Sequence, residues 1–227
     1  MHLRRRGVRT APDLPLLTRP ARKGHLNMIW TAPLLSPTST REALKLPETE
    51  RLVLRRTNWP DIDDVVAMSA DAYVMRYRDR GLPMSPAQVL AEEMPRLMAH
   101  NGRADQLGCW TARNRTSGDF IGWFSVTPAD GRTLTVELDY RLRRTAWGKG
   151  YGIEGTLCMI EMACAAQMAA VIGTARPVDL EYRQVMELAG LRLMPIEMGD
   201  RALRSPTVGE RALVYVLDLS VRAMLPA

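Results

Sequence analysis

Histidine and cysteine are scarce in this 227-residue chain, three of each, and their placement removes several chemistries at once. His2 and His25 stand in an Arg- and Pro-rich N-terminal stretch, so a Ser-His-Asp or Cys-His mechanism would rest on His100 alone. Cys109, Cys158 and Cys164 are odd in number and form no C-x-x-C, which supports neither a disulfide framework nor a zinc site; no metal is expected, and a reducing cytoplasm is the natural setting. There is no signal-peptide core in the first thirty residues and no run of about eighteen apolar residues, so no membrane association is expected. Net basic charge is missing from most of the chain as well. Residues 1–27 hold seven Lys/Arg against Asp13, which accounts for the whole net charge of +6 and leaves the remainder neutral. Nucleic-acid binding is therefore not expected except through that tail.

What is present centres on the stretch from Val136 to Met168. Val136, Leu138, Tyr140 and Leu142 alternate with Glu137, Asp139, Arg141 and Arg143, the period of a strand with two unlike faces. From Ile153 the spacing becomes helical, and Ile153, Leu157, Ile160, Cys164 and Met168 are expected to line the buried side. Between them Gly148, Gly150 and Gly152 alternate with Lys149 and Tyr151, a turn that exposes backbone N–H groups where a helix opens and so suits a phosphate. The spacing is neither the dinucleotide fingerprint nor a P-loop. A plain tight connection would have the same composition.

The rest of the chain reads as one domain with an extension. Residues 1–46, rich in Arg, Pro, Thr and Ser without periodicity, are expected to be disordered, and residues 47–222 to fold. A strand at Glu50–Arg56 leads to a helix near Asp61–Ser69, and a second helix near Ser85–His100 is expected to bury Val89, Leu90, Met94, Leu97 and Met98 despite Pro95. A hairpin joins LGCWTAR to DFIGWFSV through Gly118. AAVIGTAR, Ala169 to Arg176, follows a helical crossover and is expected to lie parallel to the Val136 strand. A helix over Asp179–Ala189, burying Leu180, Val185, Met186 and Leu188, is expected to end at Gly190, with strands at Leu191–Met198 and Arg211–Leu219 to follow. The loop GDRALRSPTVGE between those strands is a candidate rim.

The run RRTAWGKGYGIE, Arg143 to Glu154, resembles the acetyl-CoA pyrophosphate loop of the GNAT superfamily of N-acetyltransferases, and its RimJ/RimL-like branch in particular. The superfamily pattern Gln/Arg-x-x-Gly-x-Gly/Ala lands on Trp147, Gly150 and Gly152; Trp147 departs from the superfamily but not from the branch. The likeness extends to PETERLVLRR, DFIGWFSV and RQVMELAGL. It implies an α/β fold whose mostly antiparallel, twisted sheet splays at a central parallel pair of strands, with helices on both faces. It also implies acetyl-CoA as cosubstrate and an amine-bearing acceptor, either a protein N-terminus or a small amine.

By the same resemblance, the donor is held by Leu138, Tyr140 and Leu142 on the strand, by Trp147, Gly148, Lys149, Gly150, Tyr151 and Gly152 in the turn, and by Asp179 along the pantetheine arm. Glu137, or less readily Asp139, would take the amine proton, and Tyr182 would protonate the departing thiolate. Glu154 is assigned to structure, favouring the helix dipole. Tyr73, Met75, Tyr77 and Met84 would touch the acceptor or pack in the core. In ARPVDLEYRQ the branch usually has Asn three residues before Ser; Asp179 and Tyr182 replace them, which leaves a catalytically silent acyl-CoA-binding protein as an alternative.

Overall fold

The computed structural model describes residues 49–78, 81–103, 107–129, 132–194 and 212–220. The N-terminal extension and the candidate rim loop lie outside the described residues.

Seven strands form one mixed sheet in the order β1-β2-β3-β4-β5-β7-β6. β1 (Leu52–Arg56), β2 (Gly108–Asn114), β3 (Phe120–Pro128) and β4 (Thr135–Leu142) are antiparallel neighbours; short connections favour this for β2–β3 and β3–β4, whereas β1 and β2 are separated by residues 57–107. β5 (Ala170–Ala175) lies parallel to β4, as the helical crossover requires, and β7 (Leu213–Asp218) pairs antiparallel with both β5 and β6 (Arg192–Leu193). The β4–β5 pairing covers only Thr135↔Ala170, Val136↔Val171 and Glu137↔Ile172. β4 continues along β3 as far as Leu142↔Gly122. Beyond Glu137, therefore, one edge of β4 is turned toward a wedge rather than toward a strand.

The alternation of β4 sorts the core. Val136, Leu138, Tyr140 and Leu142 are buried with Phe124 in the cluster that α5 (Tyr151–Ala165) and α6 (Leu180–Leu188) cover. Trp123 packs on the other face with Val65, Met68, Val89, Met94 and Leu97, the inward residues of α1 (Ile62–Ser69), a π-helical turn and α4 (Met94–Met98). Helices thus lie on both faces, as expected.

Three expected helix faces are corrected. On α5 the buried residues are Gly152, Gly155, Thr156, Met159, Met162 and Ala163 together with Cys158 and Ile160, while Leu157 and Cys164 are exposed. The buried stripe is partly made of small residues, because α5 lies so close to the sheet that a Cβ at Gly155 would overlap the Phe124 ring. A reading based on side-chain hydrophobicity rotates the helix the wrong way. On α6, Leu180 and Leu188 are exposed and Tyr182 is buried with Met186. The third concerns the helix containing Pro95. It begins as α3 (Pro86–Gln88), widens into a π-helical turn at Val89–Glu93 where Met94 N–H donates to Val89 O, and resumes as α4. Pro95 has no N–H to continue an α-helical ladder, and the extra residue in the turn takes up the misfit. Leu90 consequently faces solvent, and Glu93 is buried in its place.

The polar face of β4 is also less exposed than its sequence implies. Arg141 is 4% exposed, paired at 2.7 Å with the equally buried Glu93, and its guanidinium lies over Trp123.

Candidate active site

The wedge in the sheet opens into a cleft of about 380 Å³. Its walls come from three places: the end of β4 (Tyr140, Arg141, Leu142), the glycine turn with the start of α5 (Trp147, Gly148, Gly150, Tyr151, Gly152), and α6 (Asp179, Glu181, Tyr182, Gln184, Val185). The segment after α2 (Ala72–Met75) closes it with Tyr77, Arg76 and Arg78, joined by Tyr73 of α2 itself.

The turn has the backbone that its glycines make accessible. Gly148 and Gly150 have φ of +69° and +80°, the left-handed region in which a side chain is strained. Gly150 is the N-cap of α5, and no side chain caps the helix. Gly152 faces Tyr140 and Val185, whose hydroxyl and methyl atoms would be 3.5 and 3.3 Å from a Cβ. A wall this bare, at the positive end of a fifteen-residue helix, can admit a pyrophosphate against its N–H groups. Trp147 spends its indole N–H on Leu142 O at 3.0 Å, which fixes the turn to the end of β4.

Across the wedge the polar groups meet. Tyr182 donates its hydroxyl to Leu138 O at 3.1 Å and stacks on Tyr140, ring centroids 5.0 Å apart; Tyr140 stacks in turn on Phe124. Burial is the main cause that pushes the Tyr182 phenol well above its ordinary value, with Asp139 reinforcing it. Arg78 reaches in from the facing segment, donating to Asp139 Oδ1 and Tyr140 O, both at 2.7 Å, with its guanidinium over the Tyr182 ring. Burial alone would raise the Asp139 carboxyl, but Arg78, Arg96 and Arg141 outweigh it and hold it below the usual carboxylate range. Asp179 caps α6, accepting from Tyr182 N–H at 3.2 Å, and burial pushes its carboxyl up.

Of the residues singled out in the sequence, Tyr140, Leu142, Trp147, Gly148, Gly150, Tyr151, Gly152, Asp179 and Tyr182 line one cleft. Glu137, Leu138 and Lys149 are not part of its wall: Leu138 takes part through the carbonyl that Tyr182 engages, Glu137 is exposed at the last paired position before the wedge, and Lys149 is exposed in the turn. Tyr73 and Tyr77 line the cleft, whereas Met75 is wholly buried and Met84 packs against the core. Sequence reasoning missed Arg76 and Arg78. The only signal was an Arg-rich connection, and its partners on β4 lie some sixty residues away.

The acetyltransferase (GNAT) domain family matches residues 51–192, more than half of the chain, and the protein belongs to that family. Solved structures agree on the fold. An acetyltransferase of the GNAT family from Bacillus anthracis is 19% identical with a TM-score of 0.57, over 74% of this chain and 94% of that one. AAC(6')-Ib, in complex with ribostamycin and coenzyme A, is 15% identical with a TM-score of 0.61, over 78% and 99%. A Vibrio cholerae protein, provisionally assigned as a ribosomal-protein-serine acetyltransferase, is 14% identical with a TM-score of 0.56, over 75% and 95%. As a member of the GNAT family, the chain is an acyltransferase with acetyl-CoA as cosubstrate and an amine as acceptor. Among the described residues, no helix is long and apolar enough to cross a membrane.

Proposed function

We propose that the protein is a RimJ/RimL-like, cytoplasmic N-acetyltransferase whose acceptor is a protein N-terminal α-amine, attacking acetyl-CoA directly in a ternary complex. The observation that carries this reading is the wedge: β4 loses its parallel partner after Glu137, and the cleft lined by the end of β4 extends to the glycine turn. The pyrophosphate rests on Gly148, Gly150 and Gly152, the pantetheine passes Asp179, and the thioester enters between β4 and α6. Direct attack needs a neutral amine and stabilisation of the departing thiolate, without a covalent enzyme intermediate.

Glu137, at the mouth of the wedge, takes the amine proton, directly or through water. Tyr182 turns its hydroxyl proton from Leu138 O to the departing sulfur. Its phenol, raised by burial, is a poorer full proton donor than a free one, so its main service is a hydrogen bond that strengthens as charge develops on sulfur. The acceptor class rests on cost. Neutralising an α-amine at pH 7 takes about 1 kcal/mol and a lysine about 4 to 5, and an exposed carboxylate can support the smaller demand.

The test is thiol release from acetyl-CoA against a panel of peptide N-termini, lysine side chains, polyamines and aminoglycosides. Turnover on peptide α-amines is expected. Turnover confined to aminoglycosides or polyamines would replace the acceptor, and binding without turnover on any amine would make the protein a silent acyl-CoA binder.

A further inference from the structure

The glycine turn is held from outside by a residue that lies over ninety positions earlier in the chain. Arg51, just before β1, donates its backbone N–H to Glu154 Oε1 at 2.7 Å and its Nε to Oε2 at 2.8 Å. One terminal nitrogen donates to Lys149 O at 2.7 Å, and the guanidinium lies 4.7 Å from the centroid of the Tyr151 ring. Tyr151 is fixed in turn by Asn114 Nδ2, which donates to its hydroxyl at 2.8 Å. Each of these contacts falls within the turn or the first turn of α5, and Arg51 itself is not in the cleft wall.

We propose that Arg51 is the positioning residue of the donor seat: it orients the Gly150 N–H into the cleft and neutralises Glu154 beside the pyrophosphate. This rests on the reading that the turn seats the pyrophosphate. The first half follows from the planar trans peptide, in which C=O and N–H point in opposite directions. Arg51 draws the Lys149 carbonyl to its own side, so the N–H of the same peptide, that of Gly150, points away from Arg51, and Gly150 is part of the cleft wall. Without that hold, two glycines at positive φ would leave the peptide free to flip. The second half is electrostatic. Glu154 sits in the first turn of α5, where a carboxylate favours the helix dipole but repels an anion seated at the same end. The two-pronged contact from Arg51 cancels that repulsion while leaving the N–H groups available.

The experiment compares the affinity of the full chain for coenzyme A with its affinity for pantetheine, which has no phosphates. Arg51→Gln is expected to weaken coenzyme A by about ten- to a hundred-fold and pantetheine by less than about two-fold. Arg51→Gln combined with Glu154→Gln is expected to regain about three-fold or more of the coenzyme A affinity, since the stranded carboxylate is gone. Equal losses for both ligands, or no loss for coenzyme A, would overturn the proposal. Should Arg51→Gln fail to fold, Arg51→Lys supplies the same ratio, keeping the charge but not the planar fork that holds Glu154 and the Lys149 carbonyl at once. Gly150→Asp separates the proposal from the reading beneath it. If that variant binds coenzyme A normally, the seat itself is misplaced; if it loses binding while Arg51→Gln retains it, Arg51 alone is wrong.

Discussion

On the glycine-turn side of the cleft, where the proposed reading seats the donor, three glycines line the wall, Gly148, Gly150 and Gly152 at the start of α5, beside the end of β4. On the opposite side, the segment from Tyr73 to Arg78 faces inward with side chains, two tyrosines and two arginines, and Arg78 spans the gap to reach Asp139 and Tyr140 O. A backbone wall suits a ligand that never changes, because N–H groups held by a helix cannot be altered by substitution. A side-chain wall can be re-specified one residue at a time, and on the proposed reading it is where acceptor choice would vary.

The largest effect expected from breaking the donor side comes from Gly155→Val. The new methyl groups would overlap the Phe124 ring, lifting α5 from the sheet and costing about 3 kcal/mol or more, measured by denaturant unfolding. Tyr182→Phe, where the two walls meet, should lower kcat by about ten- to a thousand-fold with little change in acetyl-CoA affinity. Full activity in that variant would assign the ring to packing. Glu137→Gln should give a smaller loss in kcat/KM on peptide acceptors, largely recovered at alkaline pH, where the α-amine loses its proton unaided; a loss that persists there would contradict a role as base.

Arg78→Gln sharpens the acceptor side. The folded-state value of Asp139 is depressed, so its stabilisation is fully present above the unfolded value of about 4 and is lost as pH falls through the folded value. Removing Arg78 raises that folded value, and the acid-unfolding midpoint should move to higher pH, while coenzyme A affinity stays within about two-fold. An unmoved acid midpoint would show that Arg78 is not what holds Asp139. The smallest effect is expected from Asp179→Asn. Asn caps a helix about as well as Asp, restores a donor along the pantetheine arm and removes a charge near the phosphates, so calorimetric affinity should be equal or modestly better.

The glycine-turn side of the cleft was legible because local spacing encodes it: alternation to Leu142, three glycines and a helical period follow one another within thirty-three residues. The parallel partner of β4 was legible too, since a crossover helix leaves few other topologies. The errors share a cause. Leu157, Cys164, Leu180, Leu188 and Leu90 were expected inside by hydrophobicity, whereas close approach at Gly155, a buried Tyr182 and a π-helical turn at Val89–Glu93 set the true faces. Arg78, Arg51 and the buried Arg141–Glu93 pair were not legible, because each depends on a partner from a distant part of the chain. No local period reports such a meeting.

The short β4–β5 pairing also bears on how the domain opens. Among the described residues, three strand-register pairs join β4 to β5, whereas seven join β3 to β4. This seam is the natural place for the sheet to part short of global unfolding, so amides flanking Glu137 and Ile172 should exchange with deuterium sooner than those paired between β3 and β4. On the proposed reading, a donor lodged in the wedge would touch both halves of the sheet. At a hundred times its dissociation constant it adds about 2.7 kcal/mol to stability, and that protection should be concentrated at the seam.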